Sequence, residues 1–168
     1  MDTDDLAREV VEPGRPALEQ VREAFGAEVV AADGRLRRAE LARRVFGDPA
    51  ALKQLEAILH PPIRALWRAQ AAAWRKESRP HCVIIIPLLF ETGAEAEVDA
   101  TLCVACSAAT QGRRLLARGW TVREIEQRVR AQWPIEKKMG CADYVVWTEG
   151  GLDILGAQLA RLGLGGNP

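Results

Sequence analysis

The 168 residues are 48% hydrophobic and 27% charged, the make-up of one soluble globular domain with enough apolar surface for a core, which excludes a disordered or fibrous chain. Its 23 basic and 23 acidic side chains cancel to zero net charge, so no overall field draws it to nucleic acid or an anionic membrane, and an anionic small molecule has to be caught by a local cluster. The longest apolar run, Cys82 to Phe90, is far too short to span a bilayer, and the first ten residues carry acids rather than a basic, apolar leader; a cytoplasmic protein with no membrane partner is expected.

Apolar positions in the first 80 residues recur at three and four, which predicts helices joined by turns. Asp4 to Val11 is helical and stops at Glu12-Pro13-Gly14. Pro16 opens a helix through Phe25, with Leu18, Val21 and Phe25 on one face. Asp33-Gly34 is a turn, and Arg35 to Phe46 a third helix. Asp48-Pro49 is an N-cap followed by proline at the first helical position, starting a helix through Ile58 and Leu59. His60-Pro61-Pro62 is expected to break it, with a further helix from about Ile63 to Lys76.

Val83 to Leu89 (VIIIPLL) is apolar throughout and predicts a parallel strand buried on both faces, ended by Pro87, which has no N–H for a ladder. Asp99 to Ala105 and Tyr144 to Trp147 read as further strands. Between them Ala108 to Arg118 and Thr121 to Gln132 read as helices, the second opened by a Thr121/Glu124 capping box. A last amphipathic helix follows Gly151. Strands alternating with helices predict an α/β domain with a parallel sheet.

The four cysteines lie in apolar surroundings and are expected to be buried small hydrophobes; Cys103-Val-Ala-Cys106 lacks a second pair or histidines for zinc. No residue is singled out as a metal ligand. Pro87, Leu88, Leu89 and Glu91 stand at a strand end, where ligands sit in open parallel sheets. Arg114 and Arg118 are four apart on one helical face, able to converge on phosphate oxygens, although a solvated basic stripe has the same spacing. An acidic N-terminus such as Asp2 and Asp4 is usually just solvated, and a histidine placed like His60 is most often a turn residue bonded to backbone.

Taken in order, the segments resemble dephospho-coenzyme A kinase over nearly the whole chain. The resemblance rests on Asp2-Thr3-Asp4, Val10-Val11-Glu12-Pro13-Gly14, Phe25-Gly26, Asp33-Gly34, Arg38 with Leu41, Val45-Phe46 and Leu59-His60-Pro61 with Ile63. It continues through Pro87 to Glu91, Gln111 with Arg114 and Arg118, Arg128, Gln132, Lys137 and Ala142-Asp143. It implies transfer of the γ-phosphoryl of ATP, with Mg²⁺, to the ribose 3′-hydroxyl of dephospho-coenzyme A, the last step of coenzyme A biosynthesis. The implied fold is a three-layer P-loop kinase domain spanning residues 1–168, with a helical substrate-binding insertion over about 12–79 and a lid over about 108–132. Asp4 then matches the aspartate that accepts the hydroxyl proton, with Asp2 beside it near substrate and metal. Arg114 and Arg118 match lid arginines over the ATP phosphates, Arg114 also acting in catalysis, and His60, Pro87, Leu88, Leu89 and Glu91 match the wall that receives the acceptor. Nothing in the pattern specifies an oligomeric state.

The family begins with a strand and a G-x-x-x-x-G-K-[ST] loop that cradles the β- and γ-phosphates, and no such run occurs here. The expectation is a kinase missing its first strand and phosphate loop, and inactive as written. Two alternatives stay open: a module that binds a coenzyme A-like ligand without phosphorylating it, and a non-functional fragment. Thr148-Glu149, where the family commonly has asparagine, and Trp120, Trp133 and Trp147 depart from the pattern.

Overall fold

A computed structural model describes residues 1–45 and 47–163. The chain divides into two units, Met1–Pro87 and Leu88–Pro168, the second described as far as Gly163. Among the described residues no helix is long and apolar enough to cross a membrane.

The first unit is helical. Helix α1 (Thr3–Glu9) is capped by Asp2, whose carboxylate accepts from Asp4 N at 2.9 Å. Helix α2 (Pro16–Phe25) begins on its proline as expected and buries Ala17, Leu18, Val21 and Phe25 on one stripe. A 3₁₀ turn, Ala27–Val29, leads to a single antiparallel bridge, Val30 with Leu36, across the Asp33-Gly34 turn. Gly34 adopts φ +80° there, and Arg35 N donates to Asp33 Oδ1 at 3.1 Å. Because Arg35 and Leu36 are held in that pairing, helix α3 (Arg38–Val45) starts later than the expected Arg35. Its expected last residue, Phe46, lies outside the described residues.

Helix α4 (Pro49–Lys76) is capped by Asp48, which accepts from Ala50 N and Ala51 N at 2.9 and 3.1 Å. The expected break at His60-Pro61-Pro62 does not occur; one helix of 28 residues carries both prolines in its interior. Ile58 and Leu59 before them and Ile63 and Leu66 after them pack on the same core of Val10, Val11, Ala17 and Leu18. An internal proline costs a helix ~3 kcal/mol, and four partly buried aliphatic anchors on one core, two on each side of the prolines, offset part of that cost.

The run Val83–Leu89 also departs from expectation. Among the described residues it pairs at one position only, a parallel bridge of Ile85 with Asp2. Ile85 N donates to Met1 O at 2.9 Å, and Thr3 N donates to Ile85 O at 3.1 Å. Val83 and Ile85 are 62% and 53% exposed rather than buried on both faces, because a ladder forms along one edge alone and Pro87 has no N–H to extend it.

In the second unit, strands β1 (Leu102–Ala105) and β2 (Tyr144–Trp147) pair in parallel, Leu102 opposite Tyr144 and Ala105 opposite Trp147. The crossover carries helices α5 (Ala108–Ala117), α6 (Val122–Arg130) and α7 (Ile135–Cys141), and α8 (Leu152–Arg161) follows β2. The Thr121/Glu124 capping box is present at the start of α6. Helix α7 was not anticipated: its seven residues are too few to show a period. Strand β1 is shorter than Asp99 to Ala105 because Thr101 is engaged by Asp143, its N and Oγ1 donating to Oδ2 at 2.8 and 2.7 Å. Of the cysteines only Cys103, in β1, is buried; Cys106 is half-buried and Cys82 and Cys141 are exposed, at a segment start and a helix end respectively.

Candidate functional site

Asp4 stands exposed in the first turn of α1. Its backbone is set from two directions. Asp2 receives its N–H, and the buried Thr3 anchors the strand-to-helix corner through both N and Oγ1 to Ile85 O, at 3.1 and 3.0 Å. The corner therefore presents the Asp4 carboxylate to solvent from a fixed base. Asp2 is half-buried and occupied as the cap.

His60 is half-buried on α4, one residue before the prolines. The two prolines help to line a groove of about 510 Å³ with Ile58, Leu66, Ala17 and Gln20. A second pocket of the same unit, about 250 Å³, is lined by Val11, Glu12, Pro13, Arg35, Leu36 and Arg38. Sequence reading had placed Arg35 at a helix start and Arg38 within the resemblance, without assigning either to a site; the signal available was a basic R-x-R-R run beside a turn.

The residues of the expected acceptor wall are divided between the two units. Pro87 is exposed and closes the first, while Leu88 and Leu89 are half-buried in a turn that Thr92 fastens by donating its hydroxyl to Leu88 O at 2.8 Å. Glu91 is engaged within the second unit: Oε1 accepts from Trp133 N and from Lys138 Nζ, both at 2.9 Å. Burial pushes the Glu91 carboxyl up, but Lys138 and the Trp133 N–H outweigh it and hold the group below the usual range. Its Oε2 is buried without a partner among the described residues. Lys138, next to the Lys137 of the resemblance, was missed because its partner lies 47 residues away in the chain.

Arg114 lies on α5 and reaches the loop after β2. Its guanidinium donates to Thr148 Oγ1 at 2.9 Å and to Thr148 O. The neighbouring Glu149 accepts from Ser107 N at 2.6 Å and Thr110 Oγ1 at 2.7 Å. Hydrogen bonds from Ser107 and Thr110 bring its carboxyl down to about 2, with the Arg114 charge adding to them. Of the two residues that depart from the resemblance, Glu149 thus fastens the start of α5 and Thr148 its last turn through Arg114. Arg118 is exposed at the C-cap of α5. Of the other departures, Trp120 lies under Arg128 and Trp133 under Lys137, with the cations 4.4 and 3.1 Å from the ring centroids.

Asp2, Asp4, His60 and Pro87 thus belong to the first unit, and Leu88, Leu89, Glu91, Arg114 and Arg118 to the second. Among the described residues no group of three or more His, Cys, Asp or Glu side chains is arranged to hold a metal ion.

A family model described as dephospho-CoA kinase matches residues 1–153. The chain is 41% identical over 163 residues to the dephospho-CoA kinase of Anaeromyxobacter dehalogenans, covering 96% of this chain and 77% of that protein. It is 44% identical over 164 residues to that of Thiobacillus denitrificans, covering 96% and 80%. A crystal structure of a Thermus thermophilus protein superposes with a TM-score of 0.82 at 37% identity, covering 98% of this chain and 82% of that one. Dephospho-CoA kinase from Campylobacter jejuni, 22% identical, shares the fold with a TM-score of 0.69 over 96% of this chain and 81% of its own.

Proposed function

From a chain that belongs to the dephospho-CoA kinase family, we infer that these residues carry the acceptor side and the lid of an ATP-dependent transfer to the ribose 3′-hydroxyl of dephospho-CoA. The observation that carries the reading is Asp4, an exposed carboxylate on a corner fixed by Asp2 and Thr3. Phosphoryl transfer needs the nucleophile oriented and relieved of its proton more than it needs covalent chemistry. A carboxylate on a rigid corner meets that need, accepting the proton from the hydroxyl as the oxygen attacks phosphorus. In this reading Asp2 positions Asp4 as well as lying near substrate, while His60 and residues Pro87, Leu88, Leu89 and Glu91 receive dephospho-CoA. Residues of about 12–79 form the substrate insertion, and those of about 108–132 the lid.

Arg114 and Arg118 are assigned to the ATP phosphates. For Arg114 the role implies an exchange of partners, since its donors now meet Thr148 Oγ1 and the Thr148 carbonyl. A phosphate oxygen is a stronger, charged acceptor than either. ATP would arrive with Mg²⁺, whose usual protein ligand in P-loop transfers is the Ser/Thr of the phosphate loop. That loop is not in the sequence, and no cluster of three or more potential ligand side chains stands in for it among the described residues. The residues present do not make a Mg²⁺ site by themselves, and the role of Asp4 is derived without one.

Two measurements test the reading. Calorimetry of the 168-residue chain with dephospho-CoA is expected to give saturable binding, without dependence on ATP; a flat titration by a folded sample refutes it. The chain alone is expected to show no transfer from ATP. A fusion placing a relative's first strand and phosphate loop ahead of Met1 is expected to show transfer, with Asp4→Asn lowering kcat by at least about 10²-fold at little cost in dephospho-CoA affinity. Undiminished turnover in Asp4→Asn rules out its role as base.

A further inference from the structure

The arginines of the first unit fall into two groups. Arg8, Arg15, Arg22, Arg43, Arg44 and Arg79 close ion pairs with acidic side chains, and the three arginines of the second half of α4 also have partners. Arg35, Arg37 and Arg38 form no side-chain hydrogen bond or ion pair among the described residues. Two of these three, Arg35 and Arg38, line the same small pocket.

Exposed arginines without partners are ordinary when scattered. Here Arg35 and Arg38 share the wall of one concavity, and the carboxylate on that wall does not neutralise them: among the described residues Glu12 closes no ion pair with either. Their position in the chain also works against folding, because Arg38 opens α3, where the helix dipole disfavours a cation by ~0.3–1 kcal/mol. The same helix places Arg43 and Arg44 in its last turn, where the dipole favours them. Three cations gathered at the unfavourable end and unpaired among the described residues, two of them on the wall of a pocket, form a local excess of positive charge on a chain of zero net charge. A pocket of about 250 Å³ falls just under the size of sites that enclose whole small molecules, and so suits one anionic group of a larger ligand.

We propose that Arg35 and Arg38 hold the diphosphate of dephospho-CoA, with Arg37 adding to the local field. The proposal rests on the reading of dephospho-CoA as the acceptor. Two guanidinium forks on one wall match a diphosphate, which offers several oxygens to paired N–H donors. Glu12, on the same wall, weakens anion capture and sets its strength.

The test uses calorimetry on the 168-residue chain with three probes: dephospho-CoA, inorganic diphosphate, and pantetheine, which has no phosphate. Inorganic diphosphate is expected to compete with dephospho-CoA, and pantetheine to bind far more weakly. Arg35→Ala and Arg38→Ala are each expected to weaken dephospho-CoA about tenfold or more and to flatten its dependence on salt. Glu12→Gln is expected to tighten it about two- to fivefold, a gain that loss of structure does not produce, and Arg38→Lys to keep part of the affinity. Wild-type affinity and salt dependence in both alanine variants, or no gain in Glu12→Gln, overturns the subsite while leaving the acceptor assignment standing. Capture of inorganic diphosphate that requires Arg38, without binding of dephospho-CoA, upholds the anion site and removes the acceptor assignment. Binding of neither overturns both.

Discussion

Leu18, Val21 and Val29 in the first unit are at most 2% exposed, whereas Val104, Tyr144 and Trp147 in the strands of the second are 62%, 46% and 42% exposed. The first unit is assembled by stripes of aliphatic side chains on α2 and α4 closing over one another. The second is fastened by polar clasps: Asp143 on Thr101, Glu149 on Ser107 and Thr110, and Lys138 on Glu91 join segments far apart in sequence, and Gln158 holds the backbone of Trp147 in the neighbouring strand. Apolar packing fails when volume is removed; polar clasps fail when one partner is removed or protonated. The two units are therefore vulnerable to different perturbations.

The largest separation is expected from Leu18→Ala, which leaves a cavity in the first core and costs about 2–5 kcal/mol. Urea denaturation read by amide exchange in α2 against β2 checks whether the loss stays in the first unit. An equal loss of protection in β1 and β2 would break the contrast. Next comes Gln158→Ala. The Gln158 amide accepts from Trp147 N at 2.9 Å and donates to Trp147 O at 3.0 Å, so its removal uncovers both backbone groups on the outer edge of β2. About 1–2 kcal/mol is expected to be lost, together with faster aggregation through the freed edge, measured by light scattering.

Acid should discriminate as well. The Glu149 carboxyl sits at about 2 in the folded chain against an ordinary 4.5. Its stabilisation is fully present above 4.5 and is lost as pH falls from there toward about 2. Asp143, Glu124 and Glu91 are displaced in the same direction, as is Glu40 in the first unit, through its hydrogen bond to Arg44. Amide exchange at pH 3 is expected to show β1 and β2 losing protection before α2, and Glu149→Gln to remove much of that pH dependence. The smallest effect is expected from Arg8→Ala. Its pair with Asp5 is exposed on both sides, and a change in melting free energy above about 0.5 kcal/mol would contradict its surface character.

The same contrast explains what could be read in the residues beforehand. Helix α2, the Asp48-Pro49 start of α4 and the Thr121/Glu124 box are written in neighbours one to four positions apart, and each is found as read. Apart from Gln158 on Trp147, the clasps named in the second unit join residues about 40 or more apart, as Thr101 does with Asp143, and no local pattern announces such a pairing. The spacing of Arg114 and Arg118 was legible, but not that Arg114 would be held by Thr148. The run VIIIPLL showed its apolar character plainly. How many strands flank it is a property of the rest of the sheet, so Val83 and Ile85 proved exposed. The pocket of Arg35 and Arg38 needed the Asp33-Gly34 turn to fold before two arginines could share a wall with Glu12.

Pro61 and Pro62 in the middle of α4 divide that helix in a sense its outline conceals. Neither has an amide hydrogen to give to the carbonyl four residues earlier, so the chain of hydrogen bonds that makes a helix cooperative is interrupted at two adjacent links. Unwinding that begins at Lys76 has no hydrogen-bond reason to pass the prolines, and the half from Pro49 to His60 keeps its own start at Asp48 and its own seat on the core. Helix α4 is one object in space and two in thermodynamics, joined by side-chain packing rather than by its backbone.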